Sequence, residues 1–204
     1  MRNMDISALV LAGGKSSRIG TDKSLLTING RSLIEQIVES LRPFVAEVIV
    51  STNEKEKYFF LKDVRFVEDF RKGEGPLIGL ISGLELADTP WVFAVSCDAP
   101  LVTGEFLQFL ADFRAKDILA VAPYGDGYFE PLLSLYKKEA LPFALSYLER
   151  YNKKAGGMLD YLDSFGLVRV VEKDLFIERF GSAVFLNVND KDSYERLKEE
   201  CDVG

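Results

Sequence analysis

The stretch from Ile6 to Lys23 has the sequence ISALVLAGGKSSRIGTDK, and its order of residue types decides the fold at the start of the chain. It begins as a short apolar run, which predicts a buried β-strand. The run stops at Gly13-Gly14, because glycines without Cβ atoms let the backbone turn sharply and come close to a ligand. Successive N–H groups of such a turn can bind an anion, and Arg18 and Lys23 add two cations beside it. The stretch therefore predicts a polyphosphate site.

Two other phosphate-binding loops do not fit this stretch. Residues 14–16 (GKS) match the end of a Walker A motif, but that motif needs a glycine five residues before its second one. This chain has Leu9 at that position, inside the predicted strand. A dinucleotide-binding fingerprint needs G-x-G-x-x-G, which the glycine spacing over residues 13–20 does not supply. The remaining alternative is an ordinary glycine turn in which both cations are solvated.

The composition indicates one packed α/β domain over residues 1–204. The chain has 204 residues, of which 48% are hydrophobic, and its formal net charge is −7. This length suits one domain, and the apolar fraction is typical of a globular core. No basic run is present, so neither a nucleic-acid partner nor a membrane partner is expected. The chain begins without a signal-peptide pattern and has two distant cysteines, which together predict a cytoplasmic protein with reduced thiols.

Histidine is missing from the sequence. An imidazole therefore cannot serve as a general base, a general acid or a metal ligand. This excludes the histidine-dependent hydrolase triads and most zinc chemistries.

Apolar strands alternate with helical segments through the first half of the chain, which predicts a mostly parallel sheet covered on both faces. Asn53, Asp69 and Asp98 each follow the end of such a strand, where open α/β sheets bind their ligands. The residue types alone leave a second interpretation open, because Asn and Asp are also common turn residues and Asp98 precedes Pro100. Opposite a polyphosphate loop, however, Asp98 could hold Mg²⁺.

Several motifs resemble the signature sequences of the molybdenum cofactor guanylyltransferases, within the larger nucleotidyltransferase superfamily. They are LAGGxSxRIGxDK at 11–23, GPLIG at 75–79, CDAP at 97–100, EPLLSLY at 130–136 and FLNVN at 185–189. The resemblance covers nearly the whole chain, and it implies that residues 129–136 form a strand. It implies a single-domain three-layer α/β/α sandwich with a Rossmann-like, mostly parallel sheet and a mixed C-terminal part, of nucleotide-diphospho-sugar transferase type. In this scheme residues of about 1–100 bind the nucleotide and residues 101–204 bind the acceptor.

The resemblance also implies the roles of individual residues. It makes Asp98 the metal ligand and Arg18, Lys23 and Asp98 the catalytic residues. The implied nucleotide-binding residues are Leu11, Ala12, Gly13, Gly14, Lys23, Asn53, Asp69 and Asp98. For Asp69, the hypothesis is that its carboxylate accepts hydrogen bonds from the N1–H and N2–H₂ edge of guanine.

For the acceptor, the resemblance implies contacts from Asn187 and Asn189 and from a basic residue near Lys153. Arg150 and Lys154 are equal candidates for that basic residue, and a solvated basic loop is the alternative. Asp190-Lys191 replaces the Thr-Pro pair that usually follows the second asparagine, so the start of the last helix differs from the family pattern.

The implied reaction joins GTP to the terminal phosphate of molybdopterin with release of pyrophosphate. A phosphate monoester is mostly dianionic at neutral pH, so no general base is needed, in agreement with a chain that lacks histidine. Mg²⁺ is the implied cofactor, and GTP and molybdopterin are the implied substrates. Transient contacts with cofactor-synthesis proteins or recipient molybdoenzymes are also implied. The alternatives are a nucleotidyltransferase for a sugar phosphate or a cobamide precursor, CMP transfer to molybdopterin, or a nucleotide-binding module without turnover.

Overall fold

The computed structural model describes residues 3–13, 22–71, 73–151 and 154–202. The strands in these ranges are β1 (Asn3–Leu11), β2 (Thr27–Ile28), β3 (Arg31–Ser32), β4 (Val45–Ser51), β5 (Arg65–Val67), β6 (Trp91–Ser96), β7 (Ala120–Gly125), β8 (Tyr128–Phe129), β9 (Leu133–Lys137) and β10 (Val168–Glu172). The α-helices are α1 (Leu33–Leu41), α2 (Pro76–Leu86), α3 (Gly104–Ala111), α4 (Leu141–Arg150), α5 (Ala155–Asp163), α6 (Lys173–Phe180) and α7 (Lys191–Asp202). Short 3₁₀ turns include Lys23–Leu25 and Lys55–Tyr58.

The main sheet has eight strands within the described ranges, in the order β10-β7-β9-β6-β1-β4-β5, with β8 paired to β7. The pairs β1–β4, β1–β6, β4–β5 and β7–β10 are parallel. Strand β9 runs antiparallel to both of its neighbours, β6 and β7. The predicted mostly parallel sheet with a mixed C-terminal part is therefore confirmed.

Two hydrophobic clusters lie on opposite faces of the sheet and make the three layers. Helices α1, α3 and α6 cover one face, where Ile37, Phe106 and Phe176 are fully buried. Helices α2, α4 and α5 cover the other face. Strand β1 is buried from both sides, which explains why its sequence is a continuous apolar run rather than an alternating one.

The starts of several helices follow from local sequence signals. Ser32 and Glu35 form a capping box at α1, in which Ser32 N–H donates to Glu35 Oε2 at 2.8 Å. Thr103 accepts from Phe106 N–H at the start of α3. Gly75 has a φ of 95° and directs the chain into α2, whose first residue is Pro76.

The strand predicted at 129–136 is interrupted in the structure. Residues 128–129 belong to β8 and residues 133–137 to β9, and the backbone between them leaves the sheet. Pro131 has no N–H group to donate to a neighbouring strand, and Leu133 N–H instead closes a turn onto Glu130 O at 3.1 Å. The interruption places Pro131 and Leu132 at the edge of the site described below.

The last helix, α7, returns to the amino-terminal part of the chain. A third hydrophobic cluster joins Val188 and Leu197 to Ile28 of β2 and Leu33 of α1. Asp190 accepts from Ser193 N–H at 2.9 Å at the start of this helix. In the described part of the chain, no helix is both long and apolar enough to cross a membrane.

Candidate active site

A cleft of about 740 Å³ opens at the carboxyl ends of β1, β4, β5 and β6, where open α/β sheets bind ligands. Its lining comes from the ends of these strands, from the start of α2 and from the 3₁₀ turn after β4. The lining residues are Leu11, Ala12, Gly13, Asp22, Ser51, Thr52, Asn53, Glu54, Lys57, Asp69, Gly73, Gly75, Pro76, Gly79, Ser96 and Leu132.

The central strands hold the two ends of the proposed phosphate site side by side. In the parallel pairing of β1 with β6, Leu11 lies opposite Ser96. The ladder continues past both strands, because Cys97 N–H donates to Leu11 O at 3.1 Å. Gly13 and Asp98 therefore follow adjacent strands at the same edge of the sheet.

Asp69 is oriented by two neighbouring side chains. Asn53 Nδ2 donates to its Oδ2 at 3.0 Å, and Ser51 Oγ donates to its Oδ1 at 3.2 Å. Asn53 Oδ1 in turn accepts from Asp69 N–H at 3.1 Å. The structure thus joins the two residues that the sequence singles out separately, and it adds Ser51, which the sequence analysis missed.

Gly79 lets α2 come close to this group. A Cβ atom at position 79 would lie 2.7 Å from Ser51 Oγ and 3.3 Å from Asp69 Oδ1. Glycine is therefore required by space rather than by backbone conformation, and the missing side chain leaves the Asp69 carboxylate at the cleft wall.

Asp22 caps the 3₁₀ turn that carries Lys23. Its Oδ1 accepts from Ser24 Oγ at 2.7 Å and from Ser24 N–H at 3.3 Å. Its Oδ2 accepts from Lys57 Nζ at 3.3 Å and from the Tyr58 hydroxyl at 3.4 Å. Both oxygens of this carboxylate are therefore occupied by protein donors.

Lys23 contacts the carboxyl-terminal part of the chain. Its Nζ donates to Asn189 Oδ1 at 2.8 Å. The segment before α7 is also attached to the end of β6, because Val188 N–H donates to Asp98 O at 2.8 Å. Asn187, in the same segment, is half-buried. The structure thus brings Lys23, Asp98 and Asn189 into one region.

Asp98 is half-buried, and its charge acts on the neighbouring thiol. Burial raises the pKa of Cys97, the negative charges of Asp98 and Asp22 raise that pKa further, and Lys23 lowers it. Cys97 is thus a buried, protonated thiol without nucleophilic character. Within the part of the chain that the structure describes, the Asp98 carboxylate makes neither a hydrogen bond nor an ion pair.

The carboxylate chemistry of this region fits Mg²⁺ held mainly by substrate. Among the described residues, no group of three or more Asp, Glu, His or Cys side chains could hold a metal by itself. In nucleotide sites Mg²⁺ is commonly bound through one or two carboxylates, with phosphate oxygens and water completing its shell. Asp98 could supply that carboxylate.

Gly14, Arg18 and Lys153 lie outside the described residues, so their predicted roles remain predictions. Of the other basic candidates, Lys154 lines a second cavity of about 490 Å³. This cavity adjoins the main cleft and shares Gly73, Gly75, Pro76 and Leu132 with it.

A nearly buried lysine connects two segments beside these cavities. Lys173 Nζ lies 2.6 Å from Glu130 Oε1, 4.2 Å from the centre of the Tyr128 ring and 5.2 Å from that of Phe185. Burial alone lowers the pKa of Lys173, but the hydrogen bond and charge of Glu130 outweigh burial, and the pKa is raised. Lys173 therefore holds the turn before Pro131 against the start of the segment that carries Asn189.

Ser51, Tyr58 and Lys173 were not found by sequence reasoning. Their partners lie 18, 34 and 43 residues away in the chain, at Asp69, Ser24 and Glu130. Only the position of Ser51, at the end of an apolar strand, gives a local signal for the site.

The mostly parallel sheet, a central strand that ends just before Gly13 and an acidic residue after the end of the adjacent strand match the architecture of a nucleotidyltransferase. The chain belongs to the family of MobA-like NTP transferase domains, whose model matches residues 8–164.

Curated relatives match over nearly their full length. A probable molybdenum cofactor guanylyltransferase of Carboxydothermus hydrogenoformans is 33% identical over 198 residues, which are 97% of this chain and 96% of that protein. A protein of the same name from Bacillus mycoides is 31% identical over 198 residues, covering 95% and 96% of the two chains.

Solved structures match the fold. Molybdopterin-guanine dinucleotide biosynthesis protein A from Archaeoglobus fulgidus superimposes with a TM-score of 0.80 at 26% identity, covering 97% of this chain and all of that one. A 2-C-methyl-D-erythritol 4-phosphate cytidylyltransferase from Thermus thermophilus has a TM-score of 0.71 at 19% identity over 98% of this chain and 100% of the other, and it shares the fold.

Proposed function

We propose that this protein transfers GMP from GTP to the terminal phosphate of molybdopterin, forming the guanine dinucleotide cofactor and pyrophosphate. The observation that carries the proposal is the register of β1 and β6, with Leu11 opposite Ser96. This register supports the proposal because the proposed anion-binding stretch that begins at Gly13 and the carboxylate of Asp98 follow neighbouring strand ends. The names of the curated relatives support the choice of nucleotide and acceptor.

The guanine base would bind where Asp69 lies against Ser51 and Asn53. Guanine presents N1–H and N2–H₂ as donors on one edge, and a carboxylate offers two acceptor oxygens to such a pair. The hydrogen bonds from Ser51 and Asn53 would hold the carboxylate in a fixed orientation. Adenine lacks that pair of donors, so the same site would bind ATP poorly.

At the reacting end, a phosphate oxygen of molybdopterin would form a bond to the α-phosphorus of GTP. The bond from that phosphorus to the bridging oxygen would break, and pyrophosphate would leave with the bonding electrons. The attacking phosphate carries its own negative charge, so no proton has to be removed. Catalysis would then depend on alignment and on charge neutralisation.

The chain's cations would provide that neutralisation. Lys23 would offset charge near the reacting phosphorus while Asn189 fixes its amine from the acceptor side. Arg18 and the N–H groups at Gly13-Gly14 would stabilise the departing pyrophosphate. Mg²⁺ bound to Asp98 and to substrate oxygens would supply further positive charge.

The acceptor would bind on the carboxyl-terminal side of the cleft. Asn187 and Asn189 would contact the pterin substrate, and Lys153 would hold its phosphate. Lys154 is the described candidate for the same role, since it lines the adjoining cavity.

A substrate panel tests the proposal. The protein would be incubated with Mg²⁺ and GTP, ATP, CTP or UTP, each with molybdopterin or with a sugar phosphate, and pyrophosphate release would be followed. We expect release with GTP and molybdopterin. Release only with CTP, or only with a sugar phosphate, would assign a different transferase, and no release from any pair would leave a nucleotide-binding module.

A further inference from the structure

A buried tyrosine contacts the turn that carries Lys23. Tyr58 is 2% exposed, and its hydroxyl lies 2.8 Å from Ser24 Oγ and 3.4 Å from Asp22 Oδ2. These two residues flank Lys23 in sequence, and Asp22 caps the turn. The hydroxyl therefore reaches both residues on either side of Lys23, from an element 34 residues away.

The same contacts fix the backbone position of Lys23. Ser24 Oγ donates to Asp22 Oδ1 at 2.7 Å, so Asp22, Ser24 and Tyr58 form one connected hydrogen-bond network. At its other end Lys23 is fixed by Asn189, at 2.8 Å from Nζ. The side chain is thus held at its backbone by the network and at its amine by the acceptor-side segment.

We propose that the hydroxyl of Tyr58 is a positioning group that aligns Lys23 through Ser24 and Asp22. Because Tyr58 is almost fully buried, it acts through Lys23 and not on the substrate. Burial raises the pKa of Tyr58 to about 12, so the hydroxyl keeps its proton and can donate throughout the neutral range. The consequence for turnover rests on the proposed function, whereas the consequence for the position of Lys23 does not.

The first experiment measures the accessibility of Lys23 without using activity. The protein would be acylated briefly with an amine-reactive ester, and the modification of Lys23 would be quantified by peptide mass spectrometry, with exposed Lys116 as internal reference. Tyr58→Phe keeps the ring and removes the hydroxyl, and Tyr161→Phe, at a half-buried tyrosine of α5, is the control. We expect Lys23 to be modified several-fold faster in Tyr58→Phe and at the wild-type rate in the control. An unchanged rate at Lys23 would overturn the proposal.

Ser24→Ala provides a second variant, because it breaks the same network from its other side. It should raise the modification rate of Lys23 as Tyr58→Phe does, and thermal unfolding would verify that each variant folds. If Tyr58→Phe does not fold, the modification rate of Lys23 in Ser24→Ala tests the proposal, and an unchanged rate would overturn it.

The second experiment separates positioning from a general structural role. Tyr58→Phe should lower kcat about tenfold with little change in the KM for GTP, because a small displacement of a catalytic cation is costly. In a Lys23→Ala background the same substitution should lower the residual rate no further. If the two effects multiply, Tyr58 does not act through Lys23 and the proposal is wrong. If no variant or wild type turns over GTP, the proposed function fails, and the acylation rates alone decide the role of Tyr58.

Discussion

Lys23 Nζ donates a hydrogen bond of 2.8 Å to Asn189 Oδ1 across 166 residues of the chain. The lysine lies in the 3₁₀ turn Lys23–Leu25, and the asparagine precedes α7 at the other end of the sequence. The hydrogen bond joins the segment proposed to bind the nucleotide phosphates to the segment proposed to bind the acceptor. Asp98 lies in the same region, because its carbonyl accepts from Val188 N–H.

Removal of the Lys23 amine should abolish most turnover while the fold stays intact. We expect Lys23→Ala to lower kcat by at least about 100-fold, because a fixed donor or cation at developing charge contributes that much in comparable sites. Lys116→Ala, at an exposed position far from the cleft, is the control. Steady-state pyrophosphate release would measure kcat, and thermal unfolding would verify that the variant folds. A wild-type kcat in Lys23→Ala would show that Lys23 has no catalytic role.

Asp69→Asn should weaken the preference for GTP over ATP. The substitution replaces one of two acceptor oxygens with an amide donor, which would face the donor edge of guanine. The ratio of kcat/KM values for GTP and ATP should fall by about 10–100-fold. Ser51→Ala, which removes one hydrogen bond to the same carboxylate, should cause a smaller fall. An unchanged ratio in Asp69→Asn would mean that the base is recognised elsewhere.

Much of the fold follows from local sequence signals. Ser32 and Glu35 form a capping box at α1, Thr103 caps α3, and Pro76 takes the first position of α2. These signals depend on residues within one helical turn, so they can be recognised in the sequence without knowledge of tertiary contacts.

The structural features that the sequence did not predict depend on contacts between residues that are far apart in the chain. The interruption at Glu130-Pro131 depends on a contact with β7, because Glu130 N–H donates to Pro123 O. In the sequence, Tyr58 cannot be distinguished from an ordinary core residue. Only the structure shows that its hydroxyl lies beside Ser24. Candidate residues at strand ends were found because parallel strands end at one edge, whereas the side chains that orient them follow no such rule.

Gly83→Ala should destabilise the protein. A Cβ atom at this position of α2 would collide with the side chain of Leu9, which is fully buried in β1. Overpacking of this kind costs about 1–3 kcal/mol, more than the helix propensity gained from alanine. Gly156→Ala in α5 is the control, because a Cβ atom there would meet no atom within 4 Å. Thermal unfolding should show a lower Tm for Gly83→Ala alone; equal Tm values would contradict the packing argument.

The contribution of Glu47 to stability should depend on pH. Burial raises the pKa of this carboxyl, but hydrogen bonds from Asp88 N–H, Ser7 and Arg65 outweigh burial and lower the pKa below its ordinary value of 4.5. The folded state thus favours the charged carboxylate, and this stabilisation is present above pH 4.5 and lost as the pH falls through the folded pKa.

Glu47→Gln should therefore be less stable than wild type at neutral pH, by about 1–3 kcal/mol. Denaturant unfolding of both proteins across the acidic range would measure the difference in free energy of unfolding. We expect it to be constant above the ordinary pKa of the carboxyl and to shrink below it. A difference that stays the same at low pH would show that the charge of Glu47 is not the stabilising feature.

The central claim is that the turn after β1 and the carboxylate of Asp98 act on one bound nucleotide. Its most direct test is pyrophosphate release from GTP, Mg²⁺ and molybdopterin by Asp98→Asn, compared with wild type and with Asp163→Asn at an exposed position of α5. We predict that Asp98→Asn loses most of its turnover while Asp163→Asn keeps the wild-type rate. A wild-type rate in Asp98→Asn would contradict the claim.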